Sequence, residues 1–202
     1  SKGGNEVFSY IPNQLMASLP NLMDENFSSV AFVDGPLSSM DVFYDNDWHS
    51  VLVGGFRSGG KGYFSLDITD PNASANKVVR WEFTDEADND MGFSYGKAQI
   101  VRLNSGRWVA IVANGYNSAE QKAVLYVLDI SDGSIIKKIT VDTAGDNGLS
   151  SPIAVSTNND FNIDVVYAGD LKGNVWRFDL TSVNSTDWIY SKLFSTEGSR
   201  PI

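Results

Sequence analysis

Short apolar runs separated by Gly, Asp and Asn residues extend along nearly the whole chain. Runs of this length, bounded by turn residues, predict strands rather than helices. Asp132–Gly133 and Asn104–Gly106 are hairpin signals between two such runs. The pattern predicts an all-β protein, with strands over 7–11, 51–54, 62–68, 78–83, 97–103, 108–113, 124–130, 135–141, 153–156, 164–168, 174–180 and 188–193.

One segment near the N-terminus has helical spacing instead. Its apolar residues are Leu15, Met16, Leu19, Leu22 and Met23, and Asn13 stands where a helix cap would lie. Pro20 interrupts the pattern because proline lacks the backbone N–H that a helix needs. We therefore expect one short helix of one or two turns over about 13–23.

An internal repeat indicates the architecture. Three segments share an apolar strand, a Gly turn and a second strand that ends in Asp followed by an apolar residue: 51–68, 110–130 and 164–180. Their terminal residues Asp67, Asp129 and Asp179 are 62 and 50 residues apart. A period of this length with about four strands per unit is typical of β-propeller blades. The repeat predicts about three and a half four-stranded antiparallel blades, as part of a larger propeller.

The repeat also divides the chain. We expect one partial propeller domain over 1–202, in which 1–12 is a blade end and 13–35 a helical insertion. The three remaining blades are expected over about 41–95, 96–150 and 151–202.

Composition narrows the classes of function. The 202 residues carry a net charge of −10, and the sequence contains no run of Lys or Arg that could form a basic patch. Such a surface repels phosphate backbones, so we expect no nucleic acid as partner. The absence of cysteine excludes disulfides and thiol catalysis. The apolar runs are only of strand length, so no transmembrane segment is expected.

The possible catalytic motifs lack the neighbouring helix or the additional ligands that their chemistry requires. Gly92–Gly96 fits G-x-S-x-G, but the hydrolase elbow needs a helix after it, and a strand pattern follows here. His49 is the single histidine, and a zinc or copper site needs several such ligands. We therefore expect a turn between blades at Gly92–Gly96, no catalytic residues and no enzyme.

The five tryptophans could form a platform on which a sugar stacks. They are Trp48, Trp81, Trp108, Trp176 and Trp188, and most lie within strand patterns. Packing between blades is the usual role of such residues, so we expect about four in five of them in the core.

The most informative candidate site is the segment from Ser156 to Asp164. Oxygen-bearing residues occupy every second position: Ser156, Asn158, Asp160, Asn162 (through its carbonyl) and Asp164. EF-hand loops place calcium ligands with this spacing, but with Asp at the first position and Gly at the sixth, where this chain has Ser156 and Phe161. Two alternatives remain open, a weak calcium site and a structural loop of Asx turns.

Several blocks resemble one family. They include Gly62–Pro71, Met91–Gly96, Asn114–Ser118, Tyr126–Ile130 and the long run Tyr167–Leu180, in the family's order. The chain is thereby identified as similar to the C-terminal β-propeller of the PilC/PilY proteins, tip-associated adhesins of bacterial type IV pili. The resemblance implies an exported, non-enzymatic protein of the fimbrium, outer membrane or cell surface.

The resemblance also implies what the protein does there. It implies support of pilus extension against retraction, attachment to host cells or abiotic surfaces, and pilins or minor pilins as partners. It further implies a calcium-regulated loop, which here corresponds to Ser156–Asp164 and departs from the family at Ser156 and Phe161. The alternatives are a quinoprotein-like dehydrogenase propeller, for which the chain is too short to close a ring, and a generic propeller binding scaffold.

Overall fold

Three β-sheets follow one another along the chain in the computed structural model, which describes residues 4, 6–70, 72–198 and 200–202. Each sheet has four antiparallel strands, and the second sheet has one additional strand at its edge. The strands are β1 (Leu37–Tyr44), β2 (Asp47–Gly55), β3 (Gly62–Asp67), β4 (Val79–Thr84), β5 (Gln99–Leu103), β6 (Trp108–Ala113), β7 (Ala123–Asp129), β8 (Ile135–Asp142), β9 (Ile153–Val155), β10 (Asn162–Ile163), β11 (Val165–Gly169), β12 (Asn174–Asp179) and β13 (Ile189–Ser195).

The first sheet has the order β1-β2-β3-β4 and the third the order β13-β12-β11-β9. The second sheet has the order β10-β5-β6-β7-β8. Its edge strand β10 is parallel to β5 and comes from the connection between two strands of the third sheet. The expectation of purely antiparallel four-stranded units is therefore wrong for the second sheet, where this crossing segment adds a fifth strand.

The sequence repeat is a repeat of strand register. In each sheet a Val in the second strand lies opposite the Asp that ends the third strand, in the pairs Val51–Asp67, Val109–Asp129 and Val165–Asp179. Each of these carboxylates accepts the backbone N–H two residues later, from Thr69, Ser131 and Thr181 respectively. The repeated Asp therefore closes an Asx turn that ends its strand.

The core lies between the sheets. Tyr126 and Leu128 of β7 pack toward the first sheet, and the ring of Tyr126 lies 5.0 Å from that of Phe83. Leu125 and Val127, which point to the opposite face, pack toward the third sheet. Side chains alternate along a strand, and β7 is buried on both faces because every residue from Ala123 to Leu128 is apolar or aromatic.

The predicted strand over 7–11 is absent. This segment is extended but unpaired; Tyr10 packs 5.3 Å from Phe64, and its hydroxyl donates to Glu82. Only Tyr10 of this segment packs on the first sheet, whereas Val7, Phe8 and Ile11 are exposed. Part of the blade end expected over 1–12, residues 1–3 and 5, lies outside the described residues.

Strand β1 was not predicted. Its core is rich in serine and carries Asp41, a composition that is depleted in strands. The strand forms because it pairs along its whole length with β2. The turn between them is made by Asp45 and Asn46, which both have positive φ and are residue types that tolerate this conformation.

The predicted N-terminal helix is confirmed at Asn13–Met23, but it is an 11-residue 3-10 helix rather than one or two turns. Asn13 does not cap it with its side chain, and Pro12 is the residue before it. The backbone N–H of Asn13 donates instead to the carboxylate of Glu82, at 2.8 Å. Short helical turns at Arg57–Gly59, α1 (Ala75–Val78) and Ser185–Asp187 were not predicted.

Candidate functional site

The candidate calcium loop connects β9, which ends at Val155, to β11, which begins at Val165. Within it, Asn162 and Ile163 pair with Arg102 and Leu103 of β5. The loop is therefore held against the second sheet while both its ends belong to the third. Such anchoring restrains its backbone without any bound ion.

Four of the five predicted ligands share one network centred on Asp160. Asn158 Oδ1 accepts the Asp160 N–H at 3.1 Å, and Asp160 Oδ1 accepts the Asn162 N–H at 2.9 Å. The side-chain amides of Asn158 and Asn162 both donate to Asp160 Oδ2, at 3.2 and 3.3 Å. Ser156 Oγ completes the network by donating to Asn158 Oδ1 at 3.3 Å. The structure thus brings Ser156, Asn158, Asp160 and Asn162 together.

Asp164, the fifth residue, belongs to a different cluster. Its Oδ2 accepts the backbone N–H of Thr157 at 2.8 Å and the hydroxyl of Thr157 at 2.6 Å. Its Oδ1 accepts the side-chain amide of Asn104 at 3.0 Å. The Thr157 hydroxyl and then the Asn104 amide lower the pKa of Asp164, and only 3% of the residue is exposed. Its carboxylate is already bonded to protein donors on both oxygens.

The backbone of the loop compensates for one departure from the calcium pattern. Phe161 has a φ of 67°, which is the left-handed conformation that glycine supplies at the corresponding position of EF-hand loops. Phe161 is 91% exposed. The turn that a calcium loop needs is therefore present although the residue is not glycine.

The donor set suits a hard cation but carries little charge. All donors are oxygens, which Ca²⁺ prefers, and one carboxylate lies in the network while the second is bonded to Thr157. No group of three or more His, Cys, Asp or Glu side chains that could hold a metal is present among the described residues. The residues fit a weak site for calcium.

The structure excludes Ser94 as a nucleophile. Its hydroxyl is fully buried, donates to the Gly62 carbonyl and accepts the Phe56 N–H at 2.8 Å. His49 instead lies 2.7 Å from Asp67 and stacks on the ring of Tyr44 at 3.9 Å. Gly92–Gly96 lies in the connection between β4 and β5, where Phe93 forms an isolated bridge with Tyr116.

Three of the five tryptophans are buried, fewer than the four in five that the sequence predicted. Trp81, Trp176 and Trp188 are buried, whereas Trp48 is 59% exposed and Trp108 is half-buried. Both exceptions lie beside Phe161, on a surface that sequence reasoning did not find. No sequence signal marks this surface, because its residues come from three connections far apart in the chain.

Comparison with known proteins identifies the family. The family model of the PilY1 beta-propeller domain, which describes the sequences of that family, matches residues 1–193. The chain belongs to this family.

Individual relatives agree with the family match. The chain is 41% identical over 191 residues to the type IV pilus biogenesis factor PilY1 of Pseudomonas aeruginosa strain PAO1, and the match covers 91% of the chain and 16% of that protein. It is 38% identical over 196 residues to a PilY1 homolog of Xylella fastidiosa, covering 92% of the chain and 13% of the homolog. The chain therefore spans less than a fifth of the length of these curated relatives.

A solved structure confirms the fold. The crystal structure of the Pseudomonas aeruginosa PilY1 C-terminal domain matches with a TM-score of 0.80 and 34% identity, over 100% of this chain and 42% of the crystallised chain. The prediction of an all-β propeller fold is confirmed, as is the resemblance to the PilY family. No helix of the described residues is long and apolar enough to cross a membrane.

Proposed function

We propose that this chain is a propeller domain of a type IV pilus biogenesis factor, without enzymatic activity. The observation that carries the proposal is the family match over 1–193, which is supported by the relatives' name and by the structural likeness over the whole chain. A role in assembly suits the loops of the domain, because propellers present recognition loops on a rigid stack of sheets.

The proposal includes where and with what the domain acts. It acts outside the cytoplasm, on the fimbrium or cell surface, with pilins and minor pilins as partners, and it supports extension of the pilus against retraction. Attachment to host cells or abiotic surfaces belongs to the same proposal. The segments 41–95, 96–150 and 151–202 act as successive blades of a larger propeller.

Exposed apolar residues support the larger propeller. The last strand carries Ile189, Tyr190, Leu193 and Phe194, all of them exposed. Exposed side chains of this kind on a sheet are typical of an interaction surface. The crystallised relative is more than twice as long as this chain. We therefore infer that a further blade covers these exposed residues of the last strand.

Calcium is part of the proposal as a regulator. Ser156, Asn158 and Asp160, with Asn162 through its carbonyl, would hold the ion from one side, and Asp164 would supply the second carboxylate. A bound ion would supply positive charge between Asp160 and Asp164 and so tie the β9–β11 connection to β11. The left-handed turn at Phe161 supports this assignment.

Deletion of these residues from the natural gene in its host tests the function. We expect few surface pili by electron microscopy and loss of pilus-driven motility, with recovery on complementation. Additional deletion of the retraction motor should restore pili if the domain opposes retraction. A deletion strain with normal pili and motility would reject the pilus role and leave the generic binding scaffold.

A further inference from the structure

A hydrogen bond joins the candidate calcium loop to a hairpin of the neighbouring sheet. The side-chain amide of Asn104 donates to Asp164 Oδ1 at 3.0 Å. Asn104 lies in the hairpin between β5 and β6 of the second sheet, whereas Asp164 lies directly before β11 of the third sheet. The two residues are 60 positions apart in the chain. Their contact therefore depends on how the two sheets stack.

The two carboxylate oxygens of Asp164 are occupied to different extents. Oδ2 accepts two hydrogen bonds from Thr157, one from the backbone N–H at 2.8 Å and one from the hydroxyl at 2.6 Å. From the described residues, Oδ1 accepts only the amide of Asn104. A carboxylate offers about two acceptor sites on each oxygen, so Oδ1 is the atom through which Asp164 can reach a cation.

A cation at Oδ1 would compete with Asn104. The amide presents its N–H to Oδ1, and this positive end of the amide dipole would repel an ion bound there. Asp164 is only 3% exposed, so an ion at its carboxylate would replace a protein contact rather than solvent. Within the described part of the chain, the carboxylate bonds to Thr157 and Asn104 and not to the network around Asp160. Sharing an ion with Asp160 would therefore cost Asp164 its bond to Asn104.

Asn104 has a second acceptor within reach. Its amide nitrogen also donates to the backbone carbonyl of Thr181 at 3.2 Å. Thr181 belongs to the Asx turn in which Asp179 ends β12, so this contact also joins the hairpin to the third sheet. The amide would keep the Thr181 carbonyl when it lost Asp164, and it would not be left as a donor without a partner.

The loop stays attached to the second sheet without the Asn104 bond. Asn162 and Ile163 of β10 pair with the end of β5. The first part of the loop is likewise fixed, because Thr157 is bonded to Oδ2 of Asp164. Release of Oδ1 would therefore change one side-chain contact and leave these attachments in place.

We propose that Asn104 and Asp164 form a latch between the second and third sheets, and that this latch sets the calcium affinity of the 156–164 loop. In the calcium-free protein, Asn104 holds Oδ1 of Asp164. In the loaded protein, Asp164 exchanges the amide for the ion, and Asn104 retains the Thr181 carbonyl. The inference rests on the calcium site of the proposed function and identifies a residue outside the loop that regulates it.

The coupling acts in both directions. If the latch opposes calcium binding, calcium opposes the latch by the same factor, because coupling between two binding equilibria is reciprocal. Calcium loading thus frees the β5–β6 hairpin from Asp164 and removes one contact between two successive sheets. The ion thereby affects the packing of the sheets as well as its own loop.

Calcium calorimetry on the purified protein and on Asn104→Ala tests the latch. The variant lacks the amide and should bind calcium about tenfold more tightly, because a hydrogen bond to a charged group contributes a factor of this order. Ser105→Ala is the matched control, since Ser105 is the next residue of the same hairpin and is exposed. Its calcium affinity should equal that of the wild type, and circular dichroism should show every variant folded.

A double-mutant cycle assigns the effect to the pair. The cycle is made in Ser156→Asp, whose added carboxylate keeps calcium binding measurable when Asp164→Asn removes another. In the presence of Asp164→Asn, Asn104→Ala should leave the affinity unchanged. As a second readout, the side-chain amide signals of Asn104 in NMR should move on calcium saturation. Those of Asn147, which donates to Asp142 and Asp170, should stay in place.

The direction of the change decides the outcome. An affinity of Asn104→Ala equal to or weaker than that of the wild type would overturn the latch, because Asn104 would then be neutral or would position Asp164 for the ion. The absence of calcium heat from Asn104→Ala, with and without Ser156→Asp, would also overturn it. Calcium binding by Asn104→Ala but not by the wild type would support the latch and remove calcium from the proposed function.

Discussion

The indole nitrogen of Trp176 donates a hydrogen bond of 2.8 Å to Oδ2 of Asp170, and both side chains are buried. Asp170 also accepts the backbone N–H of Asn174 at 2.8 Å and the side-chain amide of Asn147 at 3.2 Å. Burial alone would raise the pKa of Asp170, but these hydrogen bonds lower it. One carboxylate therefore joins the β11–β12 turn to the segment that precedes the third sheet.

Asp170→Ala should lower the free energy of unfolding by at least about 3 kcal/mol, because several buried donors would lose their acceptor at about 1–3 kcal/mol each. Urea denaturation measures the change. Asp132→Ala is the control, since Asp132 is exposed and, among the described residues, accepts only the Ser134 N–H. Its expected cost is about 1 kcal/mol. Equal losses in the two variants would contradict a special role for Asp170.

Phe178→Ala should cost about 3–5 kcal/mol, because its ring is fully buried between the second and third sheets. Thermal and urea unfolding both report the loss. Phe194→Ala on the neighbouring strand removes a ring that is 57% exposed, and it should change stability by less than about 1 kcal/mol in the absence of other blades. A loss below about 1 kcal/mol for Phe178→Ala would show that this strand does not bury the face assigned to it.

Stability should fall in acid. The folded-state pKa values of Asp164 and Asp170 lie below their ordinary values, the first through the Thr157 hydroxyl and the second through hydrogen bonds that outweigh burial. A carboxyl whose pKa is lower in the folded state stabilises the protein at pH values above its unfolded-state pKa of about 3.9. This stability is lost as the pH falls through the folded-state pKa. Urea midpoints should thus be steady between about pH 7 and 5 and fall below about pH 4.

Asp164→Asn supplies the control for the acid effect. This variant should be less stable than the wild type at neutral pH. It should lose less stability on acidification, because it lacks one carboxyl whose pKa is lowered in the folded state. An unchanged slope of stability against pH below about pH 4 would exclude Asp164 from the effect.

Calcium affinity should be weak and should respond to charge. With Asp160 and Asp164 as the two carboxylates, calorimetry should give a dissociation constant of about 10⁻⁴–10⁻³ M. Ser156→Asp adds a third carboxylate and should tighten binding. Asp160→Asn should abolish the heat. No heat in the wild type or in Ser156→Asp at millimolar calcium would mean that the loop is only structural.

The repeat of strand pairs was determined by local sequence. Asp67, Asp129 and Asp179 end equivalent strands because an Asp that accepts the N–H two residues later closes a turn wherever it stands. The continuous apolar run of β7 likewise requires burial on both faces, whatever the neighbouring sheets are. Fold class, the strand repeat and the family could therefore be predicted from sequence alone.

Other features depend on contacts between distant segments. Strand β1, with two serines and Asp41 at its centre, forms along its whole length against β2. The apolar segment 7–11 forms no strand, and only its Tyr10 packs on the first sheet. Spacing placed Asp164 with Asp160, but Thr157 and Asn104 bind its carboxylate instead. Hydrogen-bond partners more than a few residues apart are chosen by the packing of sheets.

The surface that Trp48, Trp108 and Phe161 line together is the clearest case of this kind. Trp48, Trp108 and Phe161 each stand in a separate turn region, and no periodic pattern connects them. They meet because stacking of the sheets brings the first connection of each to a common corner. The sequence determined that each sheet would form and end where it does; only the stacking decided which side chains remain exposed together, because that depends on the position of one sheet against the next.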